Sequence, residues 1–149
     1  MDTEDVGPAL SQRHLDDLRQ RVQESPFHQW AGLELVSIGD GLAELRMELQ
    51  PHHFNPQGIV HGGIITAVAD TSIGLALRSQ LRPGLTHRTA QLNVHFLRRG
   101  EGSRLVGRGH ALHLGERMGY GESEVLDGDG RLLARATATF IVLTAPGAF

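Results

Sequence analysis

Asn55-Pro56-Gln57-Gly58-Ile59-Val60-His61-Gly62-Gly63 runs from a polar loop directly into an apolar helical pattern. Two glycines at a helix start leave backbone N–H groups unshielded by side chains. Helix N-termini carry unpaired donors and a positive partial charge. Such a place binds an anion or a developing oxyanion. Asp70 is the only formally charged side chain from Gly62 to Leu77. An unpaired buried carboxylate is costly, so it needs a polar partner, a cleft or a function. Asp70 lies nine residues beyond His61, which is roughly 13 Å along a helix. One chain's carboxylate therefore cannot serve the donors at its own helix start. Two copies with helices side by side bring Asp70 of one against Gly62 of the other, so a shared reaction centre requires a dimer.

The elements that position these groups follow from periodicity. Residues 11–24 form an amphipathic helix, with Ser11 as N-cap and Leu15, Leu18 and Val22 at helical spacing. Pro26 ends or redirects it, and Phe27 and Trp30 fasten the segment to the body. Gly39-Asp40-Gly41 turns between strands 34–38 and 42–49. The span 62–81 reads as a helix apolar nearly all round, hence buried. Beyond Pro83-Gly84, Ala90, Leu92, Val94 and Phe96 alternate with Thr89, Gln91, Asn93 and His95. Strands at 104–114 and 118–126 and a final one from Leu132 follow, with a hairpin at Asp127-Gly128-Asp129-Gly130. The expected class is α+β: an antiparallel sheet wrapped around one long central helix, with a short N-terminal helix.

Composition narrows the function. The 149 residues, net charge −3, predict one domain without a strongly basic nucleic-acid or lipid face. Residues 1–10 read as a flexible tail and 11–145 as the domain. No apolar run is long enough for a membrane span, and the acidic Met1–Asp5 start is unlike a signal peptide. A cytoplasmic protein binding neither nucleic acid nor membrane is expected. Absence of cysteine excludes disulfides, a thiolate zinc site and a Cys nucleophile. His110 and His113, three apart on a strand, should face opposite ways, and His52-His53 read as a solvated loop, so neither metal nor cofactor is expected. The Arg78, Arg82, Arg88, Arg98, Arg99, Arg104 and Arg108 group offers cations for phosphates.

The Asn55, His61-Gly62-Gly63 and Asp70 spacing, with Thr89 to Arg98 after it, resembles the hotdog-fold acyl-CoA thioesterases of the PaaI-like group. The resemblance covers roughly residues 26 to 144. It implies a homodimer or dimer of dimers (a homotetramer) with acyl-CoA bound at the subunit interface. Asp70 then matches the catalytic carboxylate, as general base on water or as nucleophile. Gly62 matches the amide that polarises the carbonyl, Asn55 the side chain positioning the carboxylate or water, and His61 a loop-orienting hydrogen bonder. Thr89 matches a hydroxyl near the attacking water. Gly63, Phe54 and Val68 are assigned to substrate binding, with Ile65 also shaping the acyl pocket. Relatives often carry Pro after the Leu-Arg pair, where Arg99 stands here. A non-catalytic acyl-CoA-binding module on the same fold is the alternative. A hydratase on the same fold is a third reading, but the chain lacks the Asp-x-x-x-x-His spacing expected of one.

Overall fold

The computed structural model describes residues 10–146. Most of the expected tail and the end beyond Pro146 lie outside the described residues. Helix α1 (Gln12–Glu24) begins at Ser11, whose Oγ accepts from the His14 N–H, and it buries Leu18 and Val22. Helix α1 ends just before Pro26, where the chain is redirected as expected. Extended Ser25 caps a second helix, α2 (Pro26–Ala31), with Pro26 in its first turn. The missing N–H of proline is no loss there, since that donor has no intrahelical acceptor. Gly32, at φ 72°, stops α2. The fastening residue is the fully buried Ala31, while Phe27 and Trp30 remain 46% and 58% exposed.

Six antiparallel strands follow: β1 (Leu33–Gly39), β2 (Leu42–Glu48), β3 (Leu85–Phe96), β4 (Arg104–Leu114), β5 (Met118–Asp127) and β6 (Leu132–Thr144). Their order in the single sheet is β1-β2-β4-β5-β6-β3. Asp40 and Gly41 both take positive φ in the β1–β2 turn, the twist that suits a tight hairpin. Between β2 and β3 lies the central helix α3 (Gly62–Arg78), one turn shorter than the apolar pattern suggested. Ser79 closes it by donating its hydroxyl to Ala76 O.

Helix α3 lies directly on the inner face of β4 and β5. A Cβ on Gly109 would stand 2.0 Å from Ser72 O, one on Gly107 2.5 Å from Val68 Cγ1, and one on Gly121 2.7 Å from Ile73 Cγ2. These glycines are the floor that lets the helix backbone approach the sheet. Ser72 satisfies its buried hydroxyl with Ala69 O and Ser123 Oγ. The outer face pairs charges across strands: Arg46 with Glu34, Arg104 with Glu48, Arg108 with Glu44 and Arg135 with Glu124.

Of the register shifts in the sheet, two overturn faces expected from alternation. The register with β6 shifts between Thr89 and Gln91, so His87 and Thr89 point to the helix side, then Leu92 and Val94 do. The expectation that Thr89 shares a face with Gln91 and Asn93 is therefore overturned by one extra residue, Ala90. A second shift, between Ala111 and His113, sets His110 opposite Glu122 and His113 opposite Tyr120. Both histidines thus lie on the outer face, not on opposite ones. Strand β1 has α1 and α2 against it. The long β3 forms the other sheet margin.

Candidate active site

Asp70 sits two turns into α3 and is partly exposed. Thr89 Oγ1 donates to its Oδ1 at 2.9 Å. The Ala90 bulge makes this contact, because without it Thr89 would face outward. Two residues earlier, the His87 ring lies 4.9 Å from the Phe140 ring, and His87 Nε2 is 2.6 Å from Gly74 O. The carbonyl can only accept, so Nε2 carries the proton. Burial pushes the His87 imidazole below its ordinary pKa, partly opposed by the Gly74 hydrogen bond. Sequence reasoning missed His87, and no motif marks it: only the strand register brings it beside α3.

The loop before α3 is built around three polar side chains. Asn55 Oδ1 accepts from the Gln57 and Ile59 N–H groups, which folds the loop back and leaves the Asn55 NH₂ as a donor. His53, read from sequence as solvated, is fully buried. Its Nδ1 accepts from Gln50 N at 2.9 Å and its carbonyl accepts from His61 N. Burial, with His52 adjacent, lowers its pKa. His61 is the N-cap of α3, its Nδ1 accepting from Gly63 N at 2.8 Å. That bond fixes the neutral ring as the Nε2–H tautomer.

The cap separates the two glycines. The Gly63 amide is spent on His61, and Ile64 and Ile65 donate to His61 O. Among the described residues, no acceptor takes the Gly62 N–H. This is the open donor at the helix start.

Two cavities flank α3. One, of about 350 Å³, is lined by Asp70, Thr89 and His87 among others. The second, of about 370 Å³, is lined by Asn55, Gly62, Ile65, Phe96, Arg98 and Arg99. The candidate residues thus fall into two half-sites, carboxylate with hydroxyl in one, amide with asparagine in the other. Val68 belongs to neither: it is 1% exposed and packs against Gly107. Phe54 pairs with Val60 in an isolated bridge and packs on the core rather than lining either cavity. Of the candidate arginines, Arg104 and Arg108 are engaged with glutamates on the outer face. No group of three or more metal-type side chains occurs among the described residues.

The model of the thioesterase superfamily matches residues 57–134. The chain is similar to a medium/long-chain acyl-CoA thioesterase, YigI, of Salmonella typhimurium, at 30% identity over 81% of this chain and 88% of that protein. It is also similar to the crystal structure of a thioesterase family protein of Silicibacter pomeroyi, with TM-score 0.83, 25% identity and coverage of 87% and 98%. The PaaI protein from the phenylacetic acid degradation operon of E. coli shares the fold, at TM-score 0.79, 21% identity and coverage of 93% and 99%.

Proposed function

This chain belongs to the thioesterase superfamily, and on that premise we propose that it hydrolyses an acyl-CoA to a free acid and CoA in a site shared by two copies. Asp70 of one copy works with Gly62, Asn55 and His61 of the other. The observation that carries this reading is the unspent Gly62 amide, lining a cavity separate from that of Asp70. Neither half alone can attack a carbonyl and hold the resulting oxyanion.

Thr89 occupies Oδ1, so Oδ2 faces the chemistry. As general base, Oδ2 takes a proton while the water oxygen bonds to the thioester carbon. The carbonyl π pair moves onto oxygen, where the Gly62 N–H meets it. Collapse breaks the C–S bond, and the thiolate leaves and takes up the proton. In the other route Asp70 Oδ2 itself adds to the carbon and the C–S bond breaks, expelling the CoA thiolate. Water then hydrolyses the mixed anhydride to the free acid, which frees Asp70, and the proton released goes to the thiolate. The Asn55 NH₂ and His61 Nε2–H serve as further donors, while Arg98 and Arg99 border the same half-site and offer charge to CoA phosphates. Gly63 contributes through its bond to His61 rather than through a free amide.

The twelve-residue margin strand β3 supports an edge-to-edge pairing of two copies. Exposed Met118, Tyr120, Ile141 and Leu143 support association of two such dimers. Cytoplasmic placement belongs to the same reading. Thiol release measured over a panel of acyl-CoAs tests it. Hydrolysis of at least one thioester is expected; binding with no release across the panel contradicts catalysis.

A further inference from the structure

The cavity beside Asp70 extends along α3 away from the helix start, reaching Arg78. Arg78 and His28 also border a neighbouring cavity of about 230 Å³, walled by Leu18, Val22 and Leu85. Arg78 lies eight residues beyond Asp70, about 12 Å along the helix. It makes no ion pair among the described residues. Asp17 borders a third cavity that Arg78 also lines, without pairing with it. Arg88 stands at the wall of the Asp70 cavity, its guanidinium donating to Thr86 Oγ1 and His87 O. Apart from Asp70, no acid among the described residues lines that cavity. Burial and the nearby Arg21 both oppose the charge on Arg78, and its place in the last turn of α3 partly offsets this. The result is an apolar slot with a carboxylate at one end and an unpaired guanidinium at the other.

We propose that Arg78 is a receptor for an anionic acyl terminus, so that the preferred substrate is a medium-length ω-carboxyacyl-CoA with its thioester at Asp70 and its free carboxylate on Arg78. The inference rests on the thioesterase reading and names the acyl class for the same site. A guanidinium binds a carboxylate through two parallel N–H bonds, and in a partly desolvated slot such a pair is strong. An uncharged acyl chain of equal length leaves Arg78 desolvated without compensation.

The test compares decanoyl-CoA with the mono-CoA thioester of decanedioic acid by thiol release. The dicarboxylate thioester is expected to have the higher kcat/KM, by about tenfold or more, as for a hydrogen bond to a charged group. In Arg78→Met the ratio of the two kcat/KM values should collapse towards about one. A wild-type preference for decanoyl-CoA, or a ratio unmoved by Arg78→Met, overturns the inference while hydrolysis itself stands. So does an equal loss on both substrates, which would put Arg78 at the CoA phosphates. No release from any acyl-CoA defeats the thioesterase reading instead. A series of shorter and longer dicarboxylate thioesters needs no variant. Its advantage must peak at one length, and a flat series also overturns the inference.

Discussion

Asp70 has one oxygen held by the Thr89 hydroxyl, and that division predicts unequal variants. Asp70→Asn preserves shape and the Thr89 contact but removes the base or nucleophile. Thiol release should fall about 10²–10⁴-fold, the range for losing a positioned proton acceptor, with the melting temperature unchanged. Undiminished turnover would remove Asp70 from the mechanism. Gly62 offers a sharper test, because it is the first residue of α3 and follows an extended His61 at ψ 132°. Proline is tolerated at such a position and lacks the N–H in question. Gly62→Pro should fold and lose about 10²–10³ in kcat, as when one oxyanion donor is deleted. Gly62→Ala keeps the amide, and its Cβ meets only the Phe96 ring at 3.5 Å, so it should lose far less. Equal rates for the two variants would exclude the amide. His87 and His53 predict acid sensitivity. Burial depresses both imidazoles in the fold, so the unfolded chain binds protons first. Their contribution to stability is present above the unfolded value of about 6.5 and is lost as pH falls through the lower folded values. Chemical denaturation at pH 7.5 and below 6 should show the decline, with His87→Gln flattening part of it and His53 accounting for the rest. An identical slope in His87→Gln would show that His87 titrates alike in the folded and unfolded chain.

The elements hold the site through backbone contact, and this is where substitution should cost most. A Cβ at Gly109 would overlap the Ser72 carbonyl of α3, and neither backbone can retreat without shifting the helix that carries Asp70. Gly109→Ala should destabilise by more than the ~1–3 kcal/mol typical of core overpacking, read as a lower denaturation midpoint. Gly128→Ala is the matched control, since its Cβ would meet only Arg104 Cβ at 3.5 Å. Equal midpoints would mean that the helix is not seated on the sheet as described. The same contact explains what the sequence could tell. Gly62, Gly63 and Asp70 stood out because a glycine pair and a lone charge interrupt a helical apolar pattern, and alternation together with turn signals located the strands. Alternation cannot announce a bulge: Ala90 fits the small-residue pattern as well as any neighbour, yet it turns Thr89 and His87 towards α3. Pro26 marked the break after α1 but not the short α2 that it opens, since one residue type both stops a helix and suits the first turn of the next. His53 read as a wet loop residue because its burial draws on the end of α2 at Ala31 and the N-cap of α3 at His61, which no local pattern around it announces.

At the scale of the whole molecule, the asymmetry of the sheet margins matters. Strand β1 is short, bulged and covered by α1 and α2, whereas β3 runs for twelve residues along the opposite margin. A two-fold axis beside β3 would set the two α3 helices alongside each other in opposite directions, because an isologous contact repeats the same surface with reversed sense. Each pair of helices then makes two equivalent sites, and each site draws Asp70 from one copy and Gly62 from the other. This predicts complementation between defects. Asp70→Asn and Gly62→Pro chains, co-expressed with different affinity tags and purified sequentially, yield a mixed dimer. One of its sites combines both defects; the other combines the intact Asp70 of the Gly62→Pro chain with the intact Gly62 of the Asp70→Asn chain. The mixed dimer should therefore recover about half the wild-type rate, one good site of two, while each parent remains nearly inactive. Were Asp70 and Gly62 to act within one chain, no site in the mixed dimer would hold both, and it would be as inactive as its parents.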